Sequence, residues 1–243
     1  MDPQKPTRLG LAAIWFLAFT AVALAGWEQI VRVPAVAAVI LRLVLAALVG
    51  AGVVGLGLWL SGRTGLGFPA LSRLGCPSGP GELPRSWLWP SVLVGVGGLG
   101  LLTMELAFLR GNPAWLAAWA KEGAWPAWRR LALCYEAGVL EEMLFRLIVL
   151  SFVAWALSSF RKAEQVRPPV FWAANVVTAV FFGLAHFSKP FPLSPAEMAG
   201  ILLLNGAGAL AFGWLFWKKG LEGAILAHFT ADFVVRVIGH LVV

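Results

Sequence analysis

Long apolar windows alternate along this chain with short polar or Gly/Pro-rich stretches. A transmembrane helix needs about 20 mainly apolar residues, and by that measure the windows predict spans near 10–30, 35–61, 87–109, 131–157, 169–187, 198–217 and 221–241. The segment from Leu11 to Trp27 follows Lys5 and Arg8 and has no convincing small-x-small cleavage site, so it is expected to be a retained first helix. Residues 45–58 repeat small side chains (LAALVGAGVVGLGL), the pattern that lets helices approach closely in lipid. Residues 112–128 carry four tryptophans, Trp115, Trp119, Trp125 and Trp128, as an interfacial aromatic belt does. That stretch lies on the membrane surface or adds a short eighth span. The predicted fold class is all-α, a polytopic transmembrane helical bundle of about seven to eight spans. It divides into two N-terminal helices with a Gly/Pro/Arg-rich cytoplasmic loop, 1–86, and a core, 87–243.

Composition agrees with this pattern. Sixty per cent of the 243 residues are apolar or aromatic and 13 per cent charged, against about 25 per cent charged in a typical soluble domain. The net charge of +7 comes from short clusters between windows rather than a basic tract, which argues against nucleic acid as a partner. With the N-terminus cytoplasmic, that side holds Lys5, Arg8, Arg63, Arg73, Arg85, Arg161, Lys162, Arg167, Lys218 and Lys219. The other side holds the smaller set Arg32, Arg110, Lys121, Arg129, Arg130 and Lys189, as the positive-inside rule requires. Cys76 and Cys134 are too few and too far apart for a disulfide framework or a four-ligand zinc site.

Ionisable groups inside the windows point to chemistry. A charge at the bilayer centre costs about 2.5–3.5 kcal/mol or more, so such residues are rare and usually functional. The window 131–157 holds Glu136, Glu141, Glu142 and Arg146. At about 100° per residue, Glu142 and Arg146 share a helix face and pair. Glu141 points about 100° away from Glu142, toward another span. Later windows carry Phe182-Gly-Leu-Ala-His186 and His228-Phe-Thr-Ala-Asp232, each placing its two outer residues on one face. Inward-facing, Glu141, His186 and His228 converge from three helices, and a glutamate with histidines in a wet cavity performs general acid-base hydrolysis. Glu105 and Glu136 are second-tier candidates to line the cavity. His240 is expected to be solvated near the interface.

Three motifs in order, Glu141-Glu142-Met-Leu-Phe-Arg146, Phe182-x-x-x-His186 and His228-x-x-x-Asp232, resemble those of the CPBP family. These are the CAAX proteases and bacteriocin-processing enzymes, related to the eukaryotic Ras-converting enzyme. The resemblance covers roughly 131–235 and makes 87–243 a protease-like core. It implies a glutamate-dependent intramembrane endopeptidase acting on a membrane-anchored protein or peptide in the lipid bilayer. Peptide hydrolysis by these groups requires no cofactor, no residue is assigned to a metal, and the Gly/Ala/Leu/Trp-rich composition points to a bacterial plasma membrane. By that likeness Glu141 activates water with help from His186. His228 and residue 232 stabilise the oxyanion, and Glu142, Arg146 and Phe182 brace the site. The CAAX-processing enzymes have Asn where this chain has Asp232, and an ionised aspartate only accepts hydrogen bonds. Asp232 is therefore either protonated or an orienting group for His228.

Competing readings are a zinc-dependent membrane protease using His186 and His228, a non-catalytic scaffold or bacteriocin-immunity protein, and a proton-relay transporter. The His-Glu-x-x-His helix of zincins is absent. A cysteine-protease reading would place Cys134, about two turns before Glu141, as nucleophile.

Overall fold

The computed structural model describes residues 7–25, 36–72, 85–160, 165–188 and 192–242, which are helical with short connections and contain no strand. Cys76, much of the loop 61–86, and the basic residues Lys5, Arg32, Arg73, Arg161, Lys162 and Lys189 lie outside the described residues. The helices are α1 (Arg8–Ala25), α2 (Val36–Thr64), α3 (Arg85–Val96), α4 (Gly98–Gly111) and α5 (Pro113–Gly123). Then come α6 (Ala127–Glu142), α7 (Ser151–Leu157), α8 (Pro168–Ala185), α9 (Pro195–Lys219) and α10 (Leu221–Asp232). Two π-helical stretches extend α6 and α10, Met143–Leu150 leading into α7 and Phe233–Ile238 leading into a last turn, Gly239–Val242.

Six stretches among the described residues are long and apolar enough to cross a membrane. They match the predicted windows except 131–157, which is helical from residue 127 to 157 but carries the buried charges. The window 87–109 is one apolar span by composition, yet its helix breaks at Gly97. The glycines Gly95, Gly97, Gly98 and Gly100 explain this, because glycine has poor helix propensity. The tryptophan-rich segment forms α5, whose N-cap Asn112 accepts from the Ala114 amide.

Small residues set the close helix contacts. The buried stripe of α2 runs Ala46, Gly50, Val54, Gly57, Leu60, Thr64. Gly50 faces the backbone of Phe19 on α1, and Gly57 faces Leu147 of the first π-helical stretch. The Tyr135 hydroxyl on α6 meets Thr20 Oγ1 on α1 at 2.7 Å. Met143, Leu147 and Leu150 of that π-helical stretch are fully buried in one apolar cluster with Phe171, Leu215 and Leu221. Outward faces remain apolar, with Ile40, Leu48, Leu93, Phe181 and Leu203 exposed, as surfaces bathed in lipid must be.

The end of α9 and the start of α10 are joined by Gly220 alone, at φ +83°, a left-handed conformation that a side chain would strain. The reversal is anchored by Leu221 N–H donating to Gly67 O (2.8 Å) and Leu71 N–H donating to Glu222 Oε1 (2.7 Å). It turns α10 back into the bundle, carrying His228 with it.

Candidate active site

The site assembles where α6 crosses α10. A Cβ at Gly138 would lie 3.2 Å from the Phe229 amide nitrogen, a contact tight enough to push the two backbones apart by a few tenths of an ångström. Four residues after Gly138, one turn on, Glu142 reaches His228: Oε1 lies 2.8 Å from Nδ1. The other Glu142 oxygen, Oε2, lies 3.0 Å from Arg146 Nε. Both members of that ion pair are fully buried, each carboxylate oxygen facing one cationic or donor group. The π-helical geometry begins immediately after Glu142, and Ser151 Oγ donates to the Arg146 carbonyl five residues back (3.2 Å). Such π-helical turns are often found at functional sites.

Glu141 leaves α6 in a different direction. Its Oε2 lies 3.8 Å from His186 Nε2 and 3.9 Å from His228 Nε2, and it has no direct hydrogen-bond partner. Both distances exceed a direct hydrogen bond but suit a bridging water. Glu141 and His186 are accessible, at 32 and 27 per cent side-chain exposure, while His228 is at 7 per cent.

Each histidine is held by its other nitrogen. His186 caps the C-terminus of α8 and its Nδ1 lies 2.8 Å from Phe182 O; a carbonyl only accepts, so Nδ1 carries a proton. His228 Nδ1 likewise donates to the Glu142 carboxylate. Both Nε2 atoms are thereby turned to the same glutamate. Aromatic rings complete the walls. Phe182 lies 4.6 Å from the His186 ring and 5.0 Å below the Arg146 guanidinium. Phe212 of α9 stacks on His228 at 4.9 Å and 15°.

Asp232 takes another partner. Its Oδ2 lies 3.3 Å from Arg236 Nε, and Arg236 Nη1 donates to both carboxylate oxygens of Glu122 at 2.9 and 2.8 Å. The group on His228 Nδ1 is Glu142, not Asp232. Arg236, Glu122, Phe212 and Asn205 were not singled out from sequence. The signal for Arg236 was available, because Asp232 and Arg236 repeat the four-residue spacing of Glu142 and Arg146. Glu122 joins from 114 residues away and leaves no local trace.

A cavity of about 70 Å³ is lined by Glu141, His186, Asn205, His228, Asp232 and Arg236. It adjoins a larger one of about 150 Å³ toward α5, walled by Glu105, Trp115, Trp119, Glu122, Ile201 and Arg236. The outer wall is latched to α9 by Glu197, which accepts from Trp115 Nε1 (2.7 Å) and Asn112 Nδ2 while closing a capping box with Ser194. Glu105 thus lines the larger cavity, whereas Glu136 lines neither. His240 is not solvated as expected: its side chain is 4 per cent exposed, 4.0 Å from the Trp119 ring and 3.9 Å from Glu122, because the last turn packs beneath α5. Cys134 is fully buried in the core. Among the described residues no group of three or more His, Cys, Asp or Glu is arranged to hold a metal ion.

Residues 123–234 match the family model described as type II CAAX prenyl endopeptidase Rce1-like. No curated protein and no solved structure matches the chain significantly. The match takes in all three motifs and ends two residues before Arg236.

Proposed function

Starting from the premise that residues 123–234 belong to the Rce1-like CAAX protease family, we propose that this chain hydrolyses peptide bonds of membrane-anchored proteins or peptides with a glutamate-activated water. It is an integral membrane protein of a protease family, and its substrate is membrane-associated. On the distribution of basic residues we propose a cytoplasmic N-terminus, and on the Gly/Ala/Leu/Trp-rich composition a bacterial plasma membrane. The family description names prenylated CAAX substrates, which makes a lipid anchor beside the scissile bond the first class to try.

One observation carries the mechanism: a single Glu141 oxygen, Oε2, lies within 4 Å of Nε2 atoms from two other helices, His186 and His228, and has no direct hydrogen-bond partner. A water between them gives one proton to Glu141 while His186 Nε2 accepts its other hydrogen as a hydrogen bond. The water oxygen attacks the scissile carbonyl carbon, and the carbonyl electron pair moves to oxygen. His228, whose Nδ1 is held by Glu142, donates from Nε2 to that oxyanion. As the oxyanion collapses, the C–N bond breaks and Glu141 returns its proton to the leaving nitrogen. Glu142, held by Arg146, keeps the His228 ring turned so that Nε2 faces the reacting atoms.

The test is comparative analysis of membrane peptides from cells expressing wild type, Glu141→Gln, His186→Ala and His228→Ala. A set of cleavage products absent from all three variants, while the proteins accumulate normally, is expected. Unchanged products would sink the protease reading in favour of a scaffold. Products lost from the wild type on chelator treatment, and regained with zinc, would favour the metalloprotease instead.

A further inference from the structure

We infer that Arg236 donates to the oxyanion, and that Asp232 serves to hold it there; this rests on the hydrolytic reading above. Asp232 lines the catalytic cavity, and a carboxylate there accepts hydrogen bonds and donates none. Its carboxylate instead lies 3.3 Å from Arg236 Nε, one turn further along the same helix. The guanidinium lines the cavity together with Glu141 and His228. Its bonds to Asp232 and Glu122 use Nε and Nη1. A guanidinium has five N–H donors, and these bonds do not use Nη2, the nitrogen we assign to the oxyanion. The two carboxylates hold two of the three nitrogens of the fork, which is the preorganisation an oxyanion donor needs. At 34 per cent side-chain exposure, Arg236 remains accessible from the cavity. The π-helical turn that begins at Phe233 also matters. It changes the direction in which residue 236 leaves the helix relative to His228, and both side chains end on the same cavity.

The step balances without any added reagent. As water attacks, the carbonyl oxygen gains the electron pair, and Arg236 and His228 each share a hydrogen with it; no proton is lost from Arg236. On collapse the pair returns to carbon and the C–N bond leaves with its nitrogen protonated through Glu141.

Full-length protein in detergent–phospholipid micelles is given a mixed-sequence library of lipid-anchored peptides, prenylated and acylated, and products are followed by mass spectrometry. Glu141→Ala defines the floor. Arg236→Met is expected to lower kcat by about 10²–10³-fold, as for loss of an oxyanion donor, with KM changed by no more than a few-fold. Removing Arg236 also strands the Asp232 carboxylate, so two double variants separate chemistry from structure. Arg236→Met with Asp232→Asn supplies a carboxamide N–H and is expected to regain at least tenfold in kcat. Arg236→Met with Asp232→Leu relieves the stranded charge without a donor and is expected to stay near the single variant. The inference is overturned if Arg236→Met keeps wild-type kcat, or if Leu restores it as well as Asn. It falls together with the protease reading if no product depends on Glu141, and falls alone if Glu141 is required and Arg236 is not.

Discussion

Glu142 and His228 form one buried unit, with Oε1 and Nδ1 2.8 Å apart across helices α6 and α10. Adjacent Glu141 makes no direct bond to either histidine. Neighbouring glutamates therefore have opposite energetic roles, and substitution separates them. Glu141→Gln, which removes no buried counter-charge, is expected to change stability far less than Glu142→Gln and to lower kcat by at least about 10²-fold. Glu142→Gln leaves Arg146 buried without a counter-charge and is expected to cost about 3–5 kcal/mol. Thermal unfolding in detergent alongside peptide hydrolysis measures both; equal stability losses in the two variants would refute the distinction.

Replacing the whole buried pair tests it differently. Glu142→Leu with Arg146→Met removes both charges and is expected to be closer to wild type in stability than either single change, because uncompensated burial is the main penalty. Activity should remain low, since His228 Nδ1 has lost its acceptor. A double variant that regains activity with stability would show that Glu142 does not orient the imidazole.

Phe212 lies face to face with His228. Aromatic stacking contributes about 0.5–1.5 kcal/mol beyond area burial, so Phe212→Leu is expected to reduce kcat by about 2–10-fold with little change in KM. Phe212→Tyr should stay near wild type. A KM increase in Phe212→Leu without loss of kcat would instead make the ring a substrate contact.

Gly213 faces the Asn175 side chain so closely that a methyl group would overlap Asn175 Oδ1. Asn175 also donates from Nδ2 to Leu210 O (3.0 Å), tying α8 to α9. Gly213→Ala is expected to destabilise by about 1–3 kcal/mol through overpacking. Adding Asn175→Ala should return part of that loss. Denaturation midpoints of the three variants decide this, and additive losses would contradict it.

The Glu197 carboxylate holds Trp115, Asn112 and the Ser194 cap together. Glu197→Ala is expected to loosen α5 over the larger cavity, seen as faster proteolytic cleavage within 112–125 and a shift in tryptophan emission. Cleavage at the wild-type rate would mean that α5 is held by apolar contacts alone.

Much of this architecture was legible one helix at a time. Apolar windows marked the helices because lipid requires every backbone group to be paired within its own segment. The Glu142–Arg146 pair followed from spacing alone, since four residues bring side chains to the same face of any helix. The same periodicity turned Glu141 away from that pair and put His186 and His228 on definite faces. Tertiary structure decided what those faces meet. Gly138 permits α6 to touch α10, so that His228 binds Glu142. The last turn folds under α5, so that His240 is buried and Glu122 reaches Arg236. Asp232 then finds its partner along its own helix rather than at His228. Helical periodicity is a property of neighbours in sequence, whereas these contacts join residues as far as 114 and 118 positions apart, and only the packing of whole helices brings them together.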